Sequence, residues 1–389
     1  MTRPAALDGV TVLDLSTVGP GTRCTRILSD YGARVVKVGA PPRKAGVQVE
    51  PLFHAYSARR NQQQVRLDLK APEGRDAFLA LARGADVVLE SYRPGVADRL
   101  GIGYADVRAV NPDIVYCSTS GYGQDGPYHG WAGHDINYLA MGGFLHTSGR
   151  GEGGKPPIPG ATVADSAAGG MHAALAIMAA LLRRPHAGGG EYLDVAVTEG
   201  VLGLMSLYLD DHLATGATPG PGHDVLTGRH AFYDTYRCRD GGWLAVGAIE
   251  PHFYRNLCEG IGCEKWIDHQ YDDAVQDEIR ADFRAAFATR DRDDWVAALA
   301  PNYTCVTAVY SIDEVAADPH LNARGAFVDV THPDHGTFRQ VGYVLAGMDA
   351  PPGPVRAGDA RTTQTDALLT EAGLDAALVA KLRAQGIID

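Results

Sequence analysis

The chain has 389 residues, more than one hydrophobic core usually organises, so two domains are the default. Hydrophobic residues at 45% and charged residues at 21% describe an ordinary globular protein, and a formal net charge of −12 argues against nucleic acid or an anionic membrane as the main partner. An anionic cofactor stays open, because a few well-placed Arg and Lys residues make a local positive pocket in an acidic protein.

Residues 10–15 read as a short buried strand, followed by Gly19-Pro20-Gly21, a helix over 22–31 and a second strand over 32–38. This unit invites a dinucleotide-binding reading, yet Cys24 replaces the third glycine of G-x-G-x-x-G, and Gly39 stands where a ribose-binding acid would follow. After a loop over 40–56 come a strand over 65–69, a helix over 72–82 and a strand over 86–90. Such alternation predicts a parallel sheet with helices on its faces. Ligands of these folds gather beyond the carboxyl ends of the strands, where this chain carries Glu90-Ser91-Tyr92-Arg93-Pro94-Gly95, with Arg99 behind it.

A strand over 114–118 runs into a glycine-rich turn at 121–127. Gly133-His134-Asp135-Ile136-Asn137-Tyr138 then opens a helix over 136–145, with Asp135 read as its cap. A Gly/Pro loop over 149–159 leads to Asp165, which reads as the N-cap of an Ala-rich helix over 166–182. That helix is marginal in length for a membrane span, and a buried helix is the expectation. A strand over 192–197 follows.

From about residue 215 the composition shifts, with Pro219-Gly220-Pro221-Gly222 as a linker. Domains are expected at 1–214, at 215–325 as a smaller α/β unit with a strand over 243–247, and at 326–389 as a return to the first, closing with a helix over 365–373. The six cysteines, Cys24, Cys117, Cys238, Cys258, Cys263 and Cys305, are scattered without metal-ligand spacing and read as reduced thiols, Cys258 and Cys263 being core residues. His332-Pro333-Asp334-His335 reads as a turn rather than a metal site. Without the apolar run of a signal peptide or a receptor-read tail, the expected compartment is the cytoplasm.

Gly19-Pro20-Gly21, Asp68-Leu69-Lys70, Tyr92-Arg93-Pro94-Gly95-Val96, the turn at 121–127, the GHDINY stretch at 133–138, Asp165 and Gly247-Ala248-Ile249-Glu250-Pro251 together resemble the family III CoA-transferases (CaiB/BaiF). The resemblance spans nearly the whole chain and is closest to the α-methylacyl-CoA racemase branch, because transferases generally lack a histidine at the position of His134. It implies a Rossmann-like large domain, a smaller α/β domain and an interlocked homodimer. It also implies CoA as part of the thioester substrate, with no metal or redox cofactor.

The activity expected from the resemblance is inversion of the carbon alpha to the thioester of a 2-methyl-branched acyl-CoA. His134 would act on one face of a planar enolate and Asp165 on the other, the aspartate needing a raised pKa to donate at neutral pH. The resemblance gives Glu250 the role of orienting His134, and the backbone N–H of Asp135 is the expected donor to the thioester oxyanion. For CoA the candidates are Arg60, Lys70, Glu90, Tyr92, Arg93, Arg99, Gly133 and Tyr138, with Lys37 and Arg43 as further basic side chains. Arg93 is the strongest of these. Gln62, Gln63 and Gln64 replace basic residues usual in the family. Two rival readings remain: a CoA-transferase with Asp165 as nucleophile and His134 idle, and a non-catalytic acyl-CoA-binding protein.

Overall fold

The structure, a computed structural model, describes residues 4–42, 52–149, 151–348, 350, 353–359 and 361–389; Arg43 lies outside them. The chain divides into two compact units, the larger formed by Met1–Gly142, Pro159–Met205 and Pro319–Asp389, the smaller by Gly143–Ile158 and Ser206–Asp318. The crossings therefore fall at 206 and 319 rather than at the expected 215 and 326. The Pro/Gly run at 219–222 marks a loop within the smaller unit, not its edge, and the segment at 143–158 groups with that unit as well.

In the larger unit β1 (Thr11–Asp14), β2 (Arg34–Gly39), β3 (Gln62–Arg66), β4 (Val87–Glu90), β5 (Val115–Ser120) and β6 (Tyr192–Ala196) form one parallel sheet in the order β3-β2-β1-β4-β5-β6. Val12, Leu13, Val87, Val88 and Leu89 are all buried, the continuous apolar run that a sheet covered on both faces requires. One face packs α1 (Gly19–Asp30) and α7 (His172–Ala187). The other packs α2 (Pro72–Ala82), residues of the short helices α3 (Val96–Arg99) and α4 (Tyr104–Val110), and two C-terminal helices. Strand order reverses between β1 and β4, so their carboxyl ends part to leave the crevice in which doubly wound folds bind ligands.

The helix expected over 136–145 is two: α5 (Asp135–Met141) and α6 (Phe144–Thr147), separated where Gly143 adopts a left-handed φ of 84°. The Ala-rich helix is also compound, a π-helix at Ala164–Met171 running into α7. Among the described residues Ala164–Ala187 is the one helical stretch long and apolar enough to cross a membrane. Its Ala173, Ala174, Ile177 and Ala180 are buried in the sheet's core, while Leu175 and Leu182 are exposed. After β6 come α8 (Val197–Leu204) and α9 (Ser206–Thr215).

The smaller unit holds an antiparallel sheet of β7 (Tyr233–Arg237), β8 (Trp243–Gly247) and β9 (Val306–Ala308), with α10 (Pro251–Ile261), α11 (Gln276–Phe287) and α12 (Arg292–Leu299). Phe232, Tyr236, Tyr254, Phe283, Phe287 and Trp295 form its core, and Cys258 and Cys263 are buried with them as free thiols. In the tail, β10 (Phe327–His332) and β11 (Gly336–Val341) make a hairpin whose turn is His332 to Gly336. Thr365–Glu371 and an unforeseen helix, Ala376–Ala384, place Leu368, Leu369, Val379 and Leu382 in the core of the larger unit.

Candidate active site

His134 is the N-cap of α5, with extended backbone; its N–H donates to Asn137 Oδ1 at 3.0 Å and its carbonyl accepts from Asn137 N at 2.8 Å. The cap is thus made through main-chain atoms, which leaves the exposed imidazole free of hydrogen bonds among the described residues. Asp135 follows as the first residue of α5, and its Oδ1 accepts the backbone N–H of Asp165 at 2.9 Å. This reverses both expected caps. Asp135 does not cap its own helix, and Asp165 is not a cap but a residue in the first turn of the π-helix whose unpaired N–H is satisfied by Asp135.

The Asp165 side chain is half-buried, and burial pushes its carboxyl above the usual aspartate range. Arg23 pulls it back, the Asp135 carboxylate adds to the rise, and His134 opposes it least. The Asp165 N–H to Asp135 bond holds the turn that carries Asp165 against the residue that follows His134.

Glycines make this approach possible. A Cβ on Gly169 would stand 2.5 Å from Pro20 Cβ, and one on Gly170 would stand 2.7 Å from Arg23 Cβ, so only hydrogen at both positions lets the start of α1 pack onto the π-helix. On the facing turn Gly19 has φ +72°, and its Cβ position lies 3.8 Å from Asp165 Oδ2. The carboxyl consequently faces the loop that leaves β1. π-Helical turns recur at functional sites because they re-aim side chains that an α-helix would turn elsewhere.

Several expected CoA contacts have structural employment instead. Arg60 is 1% exposed; its Nε and Nη2 donate to the two Asp30 carboxylate oxygens at 3.1 and 2.8 Å, and Nη1 donates to the Val341 carbonyl at 2.7 Å. It pins the tail to α1 and cannot reach a phosphate. Lys37 is likewise buried, its Nζ donating to Asp14 Oδ2 at 2.7 Å and to the Ser16 carbonyl at 2.5 Å. Burial lowers its pKa against the opposing pull of Asp14.

The Tyr138 hydroxyl donates to the Gly133 carbonyl at 2.6 Å, and Cβ atoms on Gly121 or Gly133 would stand 2.4 and 2.7 Å from its ring. Gly133 and Tyr138 thus shape the turn that presents His134. Glu90 is 3% exposed, and its Oε2 accepts the Tyr92 N–H at 2.6 Å. Burial pushes its pKa up to about 7 against hydrogen bonds from Ser118 and the Tyr92 backbone. Tyr92 is half-buried against the sheet's core, and burial raises its phenol to about 12. Glu90 and Tyr92 therefore anchor the loop that carries Arg93.

Lys70, Arg93 and Arg99 differ from these. All three are exposed, and none of their side chains has an anionic partner among the described residues. Arg93 and Arg99 flank the Gly95 turn beyond β4, at the crevice. Glu250 belongs to the smaller unit, at the N-cap of α10, and its exposed carboxylate makes no hydrogen bond among the described residues. The preceding turn is fixed by Gln270 Nε2, which donates to the carbonyls of Ala248 and Ile249 at 3.2 and 2.7 Å. Sequence reasoning missed Arg23, whose only signal was its place one turn into the helix after Gly19-Pro20-Gly21.

A family model described as CoA-transferase family III matches residues 7–359. The α-methylacyl-CoA racemase of Homo sapiens is 36% identical over 331 residues, covering 85% of this chain and 84% of that protein. A succinyl-CoA–D-citramalate CoA-transferase of Chloroflexus aurantiacus is 31% identical over 382 residues, covering 90% of each. Among solved structures, a CAIB/BAIF family protein from Brucella suis aligns with a TM-score of 0.76 at 25% identity, over 96% of this chain and 100% of that one.

Proposed function

The chain belongs to CoA-transferase family III, and from that premise we propose that it is an acyl-CoA racemase or epimerase inverting the alpha carbon of a 2-methyl-branched acyl-CoA. The observation that carries this reading is the bond from the Asp165 N–H to Asp135, which brings a carboxyl raised by burial to the residue beside His134, whose imidazole makes no hydrogen bond among the described residues. One group takes the alpha proton while the other returns a proton to the opposite face of the planar enolate, and reversal of the roles serves the other epimer. The first-turn N–H of Asp135, left without an intrahelical acceptor, suits the enolate oxygen, a contact worth roughly 3 kcal/mol in comparable enzymes.

Arg93, Arg99 and Lys70 are the cations with charge to offer the CoA phosphates. Glu250 is assigned to orient His134 in the assembled protein, with two interlocked subunits as the expected assembly. A CoA-transferase with Asp165 as nucleophile is the second reading, favoured by relatives such as the D-citramalate enzyme.

Incubation of a 2-methylacyl-CoA panel in deuterated water separates the two. The racemase reading expects deuterium at the alpha carbon together with racemisation, and no need of an acceptor acid. CoA transfer to a free carboxylate without alpha exchange would replace it by the second reading.

A further inference from the structure

We propose that Arg23 is a positioning residue for Asp165: its guanidinium clasps the turn that carries the carboxyl. The proposal rests on the reading of Asp165 as a reacting group. Arg23 Nε donates to Ser166 Oγ at 2.8 Å, and Nη2 donates to Thr162 Oγ1 at 2.7 Å. Thr162 and Ser166 bracket Asp165 in sequence and are joined by the Ser166 N–H to Thr162 carbonyl bond at 2.9 Å, so one planar cation spans the helix's first turn. Nη1 reaches the Gly19 carbonyl at 3.4 Å, and the guanidinium lies 5.0 Å from the centre of the Tyr56 ring.

Every one of these acceptors is neutral. Among the described residues no carboxylate pairs with Arg23, in contrast to Arg26 one turn on, which bonds Asp30 at 3.1 Å. The guanidinium is half-buried and, among the described residues, keeps unused N–H donors, since five are available and the hydroxyls and carbonyl occupy three. Its positive charge is felt at Asp165, whose other charged neighbours are Asp135 and His134 at the start of α5. Tyr138 on α5 senses the Asp165 charge as well. The remaining helix on this side, α8, packs Gly200 against Ala168 and bears one ionisable residue, the exposed Glu199.

The arrangement divides two effects. Desolvation favours the neutral carboxyl, suited to donating a proton, and Arg23 favours the carboxylate, suited to accepting one. A group that alternates between donor and acceptor needs neither form to dominate. Arg23 thereby keeps Asp165 usable in both directions.

The test is the titration of the Asp165 carboxyl carbon in the full-length protein carrying 13C-labelled aspartate, its signal identified by subtracting the spectrum of Asp165→Asn. Arg23→Gln is expected to move the midpoint to higher pH, with the acid limb of alpha-proton exchange moving the same way, and Arg23→Lys to restore both. An unchanged or lower midpoint in Arg23→Gln would overturn the proposal. Should that variant not fold, Thr162→Val with Ser166→Ala keeps the cation but removes its grip. A raised midpoint then supports the proposal, and an unchanged one overturns it. Absence of alpha exchange in the unmodified protein would sink the racemase reading while leaving the titration result to decide the role of Arg23.

Discussion

Two sets of charges in the larger unit are used in opposite ways. Asp14 with Lys37, and Asp30 with Arg60, are buried ion pairs whose remaining polar atoms are also satisfied: Asp14 Oδ1 accepts from Ser16, Asp14 Oδ2 also accepts Thr25 Oγ1 at 2.5 Å, and Arg60 holds two tail carbonyls. His134, Arg93, Arg99 and Lys70 are exposed and lack anionic partners among the described residues, while Asp165 is half-buried beside a cation that has no carboxylate of its own. A buried, saturated charge has no affinity left for a ligand, whereas an unsaturated one at a crevice does. Proximity to the sheet's carboxyl edge, which buried Lys37 shares with exposed Arg93, therefore does not distinguish a structural cation from a binding one; its partners do.

The largest effect is expected on the unsaturated side. Asp165→Asn keeps the shape but cannot exchange a proton, and loss of one general acid–base group lowers the rate by about 10²–10⁴-fold. Alpha-deuterium incorporation measures this, while thermal unfolding is expected to stay near the parent value because no partnered buried charge is orphaned. On the saturated side the pattern inverts. Arg60→Met leaves Asp30 buried and partly unpaired, a class of change that costs about 3–5 kcal/mol, to be read from urea unfolding. An activity loss that exceeded the folding loss would return Arg60 to the binding site.

Glu90 sharpens the comparison because it is buried but has no cationic partner among the described residues. Its folded pKa is about 7, raised by desolvation from an ordinary 4.5, so between those values the folded chain holds a proton that the unfolded chain has released. Stability conferred by that proton is full at low pH, falls as pH rises through this window, and levels off above it. The expected loss is on the order of 3 kcal/mol. Glu90→Gln should flatten this part of the stability profile, and urea unfolding at several pH values checks it.

The sheet was legible because buried parallel strands announce themselves as apolar runs, as Val12-Leu13 and Val87-Val88-Leu89 do. β3 begins at 62, three residues before the strand that its apolar residues predict, because its first half is three glutamines on an edge strand, held by main-chain pairing to β2 and by the Gln364 side chain accepting the Gln64 N–H. The GHDINY stretch and Asp165 were found through family resemblance, but their bonding was not, since Asp135 joins Asp165 across 30 residues of intervening chain. Arg60 looked like any surface arginine, its partners lying 30 residues before it and some 280 after. The π-helix was invisible for a similar reason, depending on Gly169 and Gly170 meeting Pro20 and Arg23.

Arg93 supplies the smallest effect and the most selective one. It is exposed, lacks an anionic partner among the described residues, and sits on a loop fixed independently by Glu90 accepting the Tyr92 N–H, so Arg93→Ala should leave stability within about 0.5 kcal/mol. A phosphate contact remote from the alpha carbon stabilises ground and transition states alike. Its loss therefore raises KM, by roughly tenfold for one charge-assisted contact, without lowering kcat. Because the contact is between exposed charges, added salt should narrow the gap between parent and variant. A fall in kcat at constant KM would instead mean that the loop's geometry reaches the reacting centre, and the line drawn between anchored and available charges would have to pass on the other side of Arg93.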